Sequence, residues 1–233
     1  MPFQDFDLDE LAAYLHLTPP QVEKLASREE IPGRKVAGKW RFARADVHHW
    51  LETRIGVVDD AGLVKVEGVL DRQGRHDEPI RISDMLRLET IKIPLSSRSP
   101  RKVITEMCQL ATTAGLLWDA PKMIEAVLAR ESMHPTALDN GVALLHPRRP
   151  MPSILAEGFL AVGKSFQGIP FGGSRGILTD VFFLICSIDD PSHLRTLARL
   201  SRIINDSAVL DAIRNAEHPQ DVLDIVRERE DAL

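Results

Sequence analysis

An α/β fold in two parts is what this sequence of 233 residues predicts, and three observations carry that reading. Residues 1–56 hold two short helical patterns, a basic ribbon and a third helical pattern. Val181-Phe182-Phe183-Leu184-Ile185-Cys186 is an unbroken apolar run, as expected of a strand buried on both faces. From 82 to 233 strand-like and helix-like patterns alternate over a length that buries its own core. Between the two, residues 57–81 are rich in Gly, Asp and Arg and read as a linker. Within it Leu63–Glu67 alternates like a short strand.

Composition narrows the class. Hydrophobic residues make up 44% and charged residues 27%, which excludes a chain disordered throughout, a collagen-like repeat and a disulfide scaffold. The net charge of −5 excludes a polycation that coats nucleic acid. Both cysteines, Cys108 and Cys186, sit in apolar stretches and read as reduced, buried thiols. No apolar run reaches the roughly 18–20 residues of a membrane span. The Met1–Asp5 start lacks the cationic and apolar regions of a signal peptide. The expectation is a cytoplasmic protein with no membrane partner.

The N-terminal elements follow in order. Leu8, Leu11, Ala12 and Leu15 share one helical face, with Asp7 placed to cap it. Leu17-Thr18-Pro19 is a tight turn, and Pro19-Pro20 opens a second helix that buries Val22, Leu25 and Ala26. This is helix-turn-helix spacing. Ile31–Phe42 reads as two short strands around Ala37-Gly38-Lys39, a wing, and a helix from about Arg44 to Arg54 buries Val47, Trp50 and Leu51. Residues 28–44 carry six basic side chains against Glu29 and Glu30, a local balance of +4. A cationic wing beside a second helix suits DNA: phosphate contacts fix register while helix side chains reach base edges. On that reading Thr18, Gln21 and Lys24 face the major groove. Arg34, Lys35, Lys39 and Arg41 grip phosphates or the minor groove. Adjacent His48 and His49 point in different directions on a helix, so no metal site is expected.

In the C-terminal part, Ser99-Pro100 opens a helix that Gly115 ends, and a second helix runs from about Ala120 to Arg130, burying Met123, Val127 and Leu128. Val142–His146 and Phe159–Val162 read as strands, and Gly168–Gly173 as a turn between strands, without the order of a Walker or dinucleotide loop. No ATP, NAD or other cofactor is expected. Asp190-Pro191 caps a helix carrying Leu194, Leu197 and Ile203, and two more helices follow Ser207. His146 ends a strand just before Pro147-Arg148-Arg149-Pro150, and His193 sits in a first helical turn. Neutral imidazole is a nucleophile, and a helix N-terminus favours the neutral ring and attracts anions. The pair suits a phosphoryl acceptor and its neighbour, with Arg148 or Arg149 on phosphate oxygens. Taken singly, each histidine reads equally as a polar residue ending an element. His134 stands either at the same pocket or in a solvated loop.

Two resemblances extend this reading. Leu8–Leu15, Ile31-Pro32, Val36–Phe42 and Asp46–Leu51 resemble the excisionase-like, MerR-related winged helix-turn-helix family, which implies DNA binding by residues 1–56. Residues from about 85 to 230 resemble the IIA domain of the phosphoenolpyruvate-dependent phosphotransferase system, in its fructose/mannitol and nitrogen-regulatory branch. The carrying residues are Ile124–Ser132, Asn140–His146, Val181–Ile185 with His193-Leu194, and Leu197–Ser201. This implies an α/β domain whose mixed sheet is flanked by helices. It implies that His146 accepts a phosphoryl group from a histidine phosphocarrier protein, that His193 hydrogen-bonds beside it, and that Arg130 is the arginine at the pocket. Leu145 and Pro147 stand where that family has proline and a small residue. Together the two resemblances imply a DNA-binding transcriptional regulator controlled through His146. The alternatives are a phosphoryl-carrier component feeding a sugar transporter and an unphosphorylated partner-binding protein. Winged-helix readers of palindromes bind as homodimers, but this sequence leaves the oligomeric state open.

Overall fold

A computed structural model describes residues 5–15, 17–44, 46–47, 50–51, 80–173 and 176–233. The chain divides into two compact units, Met1–Asp77 and Glu78–Leu233. The expected linker up to residue 79, its Leu63–Glu67 strand and the His48-His49 pair lie outside the described residues.

In the first unit, α1 (Leu8–Leu15) buries Leu11 and Ala12. Asp7 and Glu10 cap it reciprocally: the Glu10 amide donates to Asp7 Oδ1 at 2.8 Å and the Asp7 amide to Glu10 Oε2 at 2.9 Å. Prolines at the first two positions start α2 (Pro19–Ser27), which buries Val22 and Ala26 while Leu25 is half-buried. β1 (Arg34–Val36) pairs antiparallel with β2 (Lys39–Arg41). Their two-residue turn needs positive φ at both positions, and Ala37 (49°) and Gly38 (78°) supply it. Phe6 and Phe42 exchange backbone hydrogen bonds, so the chain before α1 lies beside the hairpin. A third helix, α3, includes residues 44, 46–47 and 50–51; Val47 and Leu51 are buried, whereas Trp50 is only half-buried.

The second unit is built on a four-stranded mixed sheet in the order β3-β5-β6-β4. β3 (Ile91–Lys92) lies parallel to β5 (Phe159–Pro170), β5 antiparallel to β6 (Leu178–Cys186), and β6 parallel to β4 (Val142–Leu145). The pleat sorts β6 between two faces. Phe182, Leu184 and Cys186, with Ala143 and Leu145 of β4, join the core under α5 (Pro100–Thr113) and α6 (Ala120–Met133). Val181, Phe183 and Ile185 are equally buried on the other face, where α7 (Asp190–Ile204) packs on β6. α8 (Ser207–Asn215) and α9 (Pro219–Asp231) complete the unit, and a short helix, α4 (Ile82–Met85), leads into it. Buried Glu230 of α9 accepts from the Ile82 and Ser83 amides and the Ser83 hydroxyl, fastening α4 to the last helix.

Four expectations are corrected. β5 extends to Pro170, so Gly168–Pro170 belong to a strand that re-registers between Lys164 and Ile169. α6 continues to Met133, and Leu128 is half-buried. The α7 cap is Asp189, whose Oδ1 accepts from the Ser192 amide at 2.7 Å; Asp190 is already helical. Strand β4 stops at Leu145, leaving His146 as the first residue beyond it. Both cysteines are unoxidised and fully buried. Burial pushes the Cys108 thiol up to about 12 and raises Cys186 well above the ordinary thiol range, so neither is a reactive thiolate.

Candidate functional site

Parallel pairing of β4 and β6 sets both chain exits at one end of the sheet, the place where open α/β sheets gather their chemistry. His146 leaves β4 there. By the pleat it follows Val142 and Leu144, on the face opposite the α5–α6 core and on the side of α7. Three residues after β6, Asp189 caps α7, and its carbonyl accepts from the His193 amide at 3.1 Å. The two imidazoles are thereby brought together, with ring centroids 4.9 Å apart and planes inclined by 51°. Both residues are buried, at 3% and 6% relative exposure, and the Nε2 atoms of both rings are closed off from solvent.

One contact orders the chemistry of this pair. His146 Nδ1 lies 2.7 Å from the Leu144 carbonyl oxygen. A carbonyl only accepts, so Nδ1 carries the proton in that bond and the neutral ring presents Nε2 with its lone pair. His193 Nδ1 lies 3.4 Å from the buried Ser187 hydroxyl. Sequence reasoning misses Ser187. A serine just after an apolar strand carries no signal until the six residues to His193 fold back.

Removing the Asp189 carboxylate leaves the first turn of α7 without its cap. Asp189→Ala is expected to lower the stability of the second unit by about 1 kcal/mol, read as a shift in its urea midpoint. An unchanged midpoint would show that the turn is held by packing alone.

Arg130 is 6% exposed in the last turn of α6, and its Nη1 donates to the His134 carbonyl at 2.8 Å. That bond braces a strip running beside edge strand β4: Leu144 donates to the Thr136 carbonyl and Leu138 to that of Val142. A backbone brace is one contact the structure shows for Arg130, and no local pattern in the sequence announces it. The His134 side chain is exposed at the end of α6. Arg148 and Arg149 are exposed in the bend immediately after His146.

Glu131 clips the same strip, accepting from the Thr136 amide at 2.9 Å and hydroxyl at 2.7 Å. Burial raises its carboxyl above the usual value of 4.5, against the opposing pull of the Thr136 bonds, Arg130 and His134. The fold therefore holds the Glu131 proton more tightly than the unfolded chain. Its stabilising contribution is full below the unfolded value and is lost as pH rises through the raised one. Glu131→Gln is expected to gain stability relative to the parent as pH rises from 4.5 toward 7. A difference in urea midpoint that stays constant with pH would refute this.

The strip's other end is an Asn140-Gly141 turn into β4. Gly141 has φ of +82°, and a Cβ there would stand 2.8 Å from Arg214 Nη2. Arg214 donates to the Asn140 carbonyl and pairs with Asp180 at 2.9 Å, locking the start of the strand that ends at His146.

In the first unit, Thr18, Gln21 and Lys24 are exposed. Thr18 and Gln21 are also bonded to each other: Gln21 Oε1 accepts from the Thr18 amide at 2.8 Å and hydroxyl at 2.9 Å. The Gln21 oxygen is thus committed to the helix cap, leaving its amide NH2 as the outward donor. On the wing, Arg34 pairs with Asp5 at 2.7 Å and Arg41 with Asp7 at 3.9 Å. Lys35 lies 5.0 Å from the centre of the Trp40 ring, and Lys39 is exposed.

Comparison with known proteins agrees with both units. The family described as phosphoenolpyruvate-dependent sugar phosphotransferase system, EIIA 2, matches residues 84–229, and a helix-turn-helix domain family matches residues 6–55. The fructose-specific EIIABC component of Bacillus subtilis is 27% identical over 153 residues, 65% of this chain but 24% of that protein. This chain therefore spans about a quarter of that relative's length. The nitrogen regulatory protein of Klebsiella oxytoca is 23% identical over 155 residues, 66% of this chain and 94% of its own. Among solved structures, IIA-Ntr from Neisseria meningitidis aligns with a TM-score of 0.56 at 19% identity, covering 62% of this chain and 98% of that one. IIA mannitol from Escherichia coli aligns at 0.54 and 18% identity, covering 60% and 98%. Among the described residues no helix is long and apolar enough to cross a membrane. With a family match over more than half its length, and the mixed sheet that those solved domains share, this chain belongs to the EIIA 2 family of the phosphoenolpyruvate-dependent sugar phosphotransferase system and carries a helix-turn-helix domain at its N-terminus.

Proposed function

We propose that the protein is a DNA-binding transcriptional regulator whose IIA domain, residues 82–233, is controlled by phosphorylation of His146 by a histidine phosphocarrier protein. Residues 1–56 read DNA, and residues 57–81 join the two. The observation that carries the reading is the Leu144 carbonyl on His146 Nδ1, which leaves Nε2 as the nucleophile beside a second imidazole. In the transfer, the donor's N–P bond breaks as the Nε2 lone pair forms a new one. The positive charge that develops on the His146 ring is shared through Nδ1–H with the Leu144 oxygen. His193 supplies a hydrogen bond to the incoming phosphoryl oxygens, and exposed Arg148 and Arg149 form a cationic rim for the donor protein and its phosphate. Because Nε2 is closed off from solvent, uncovering it is part of the reaction.

A phosphoryl group brings nearly two negative charges into this pocket, enough to rearrange the His146–Arg149 bend and its contacts. The test is the intact-protein mass after incubation with phosphoenolpyruvate, its first-step enzyme and a histidine phosphocarrier, followed by DNA affinity of both forms. One added phosphoryl group and a changed affinity are expected. No addition from a demonstrably active carrier would refute phosphorylation control. Addition with onward transfer and unchanged DNA affinity would leave the carrier reading, which the likeness to a fructose-specific EIIABC component also supports.

A further inference from the structure

We infer that Ser187 is a positioning residue that sets the tautomer of His193, and so decides which of its nitrogens carries the proton facing the phosphoryl acceptor. The inference rests on the phosphohistidine reading above for its consequence, but not for its geometry. Ser187 is the first residue after β6, at 3% exposure, and its hydroxyl lies 3.4 Å from His193 Nδ1. The hydroxyl can donate or accept, so distance alone does not choose the tautomer. His146 chooses it. The Leu144 carbonyl makes His146 Nε2 a bare acceptor, and both Nε2 atoms are buried in rings 4.9 Å apart.

On two buried rings this close, a lone pair on one Nε2 is better accommodated by an N–H on the other than by a second lone pair. His193 is therefore protonated on Nε2. Its Nδ1 is then an acceptor in a buried place, and the Ser187 O–H is the donor placed to reach it. The resulting polarity runs Ser187 O–H to His193 Nδ1, then His193 Nε2–H toward the acceptor side. This is the direction in which a hydrogen bond stabilises anionic phosphoryl oxygens. With the opposite tautomer His193 would turn a lone pair toward the phosphate.

Ser187 also lines a cavity of about 260 Å³ with Arg81, Met85, Gly158, Ile188 and Thr196. Ser187→Thr keeps the hydroxyl and adds one methyl group beside this cavity.

The direct test is a long-range proton–nitrogen NMR correlation on histidine-labelled protein, for the parent, Ser187→Ala and Ser187→Thr. The parent is expected to show His193 with Nε2 protonated and Nδ1 bare. Ser187→Ala is expected to lose that single pattern, and Ser187→Thr to restore it. His146, held by a backbone carbonyl, stays Nδ1-protonated in all three and reports that the domain is folded. A parent with the His193 proton on Nδ1, or a pattern indifferent to Ser187→Ala, would overturn the proposal. Phosphoryl transfer is the second readout: an outer partner that fixes an imidazole is worth about 10-fold or more, so the rate should fall by that factor in Ser187→Ala and recover in Ser187→Thr. An unchanged rate would show that the tautomer does not govern transfer. If the parent takes up no phosphate at all, the phosphohistidine reading fails, while the NMR result still decides the role of Ser187.

Discussion

His146→Ala is expected to take up no phosphoryl group under conditions that load the parent completely, while its second unit stays folded. The acceptor atom is removed outright, so the loss is one of stoichiometry and not of rate. The cost to the fold is small by comparison. His146 lies one residue past β4, and the hydrogen bond it loses is a neutral one, worth about 1 kcal/mol. His193→Ala separates the two roles: the acceptor remains, and what disappears is a preorganised donor. Removing one such donor costs roughly 10²–10³ in rate, so His193→Ala should reach full stoichiometry slowly. Acid lability of the adduct, with stability in base, identifies a phosphohistidine. Phosphate retained in His146→Ala would move the acceptor to another side chain, His193 being the nearest imidazole, and the Leu144 carbonyl would then have no part in activating the nucleophile. Two variants with different failures, one of extent and one of speed, distinguish a nucleophile from its helper.

The residues that make this site legible in sequence are those whose local pattern has one physical outcome. Val181–Cys186 can only be a buried strand, and Asn140-Gly141 before Val142–Leu145 can only be a turn entering another. The His146 and His193 positions follow from where those elements end. What stays hidden depends on distant chain segments. Gly163-Lys164-Ser165-Phe166-Gln167-Gly168 is too polar and glycine-rich to announce a strand, yet β5 runs through it, paired with β6 at Gly163 and Lys164 and again from Ile169 after a shift of register. β3 is two residues long and exists only because β5 passes alongside. Asp189 and Asp190 are both plausible caps, and the backbone of Asp189 (φ −150°, ψ 164°) settles which one stays outside the helix. Arg130 can be read as pocket lining by resemblance, but its bond to the His134 carbonyl forms only when Met133–Thr136 folds back along β4. Ser187 is invisible for the same reason. Caps, braces and hydroxyl partners are decided by tertiary proximity, and single-sequence periodicity does not carry that information.

Lys35→Ala with Lys39→Ala is expected to weaken DNA binding and to flatten its salt dependence by nearly two units of slope, since each phosphate no longer neutralised takes about 0.9 off the slope of log K against log salt. The four wing cations differ in their starting state. Arg34 and Arg41 face Asp5 and Asp7 in the DNA-free protein, so part of their charge is already answered before a phosphate arrives. Exposed pairs of this kind are worth about 0–1 kcal/mol, and DNA can displace the carboxylates, but the net counterion release per arginine is reduced. Lys39 stands exposed at the start of β2, and Lys35 is steadied over the Trp40 ring. The double arginine variant, Arg34→Ala with Arg41→Ala, should therefore flatten the slope less than the double lysine variant. Asp5→Asn with Asp7→Asn should move the other way, raising affinity at low salt and steepening the slope. Fluorescence anisotropy over a salt series measures all three on one DNA fragment. Equal slopes for the lysine and arginine variants would mean that the acidic residues are fully displaced on binding. A slope unaffected by the lysine variant would take the wing off the DNA, leaving Thr18, the Gln21 amide and Lys24 as the part of the proposed reading surface still engaged.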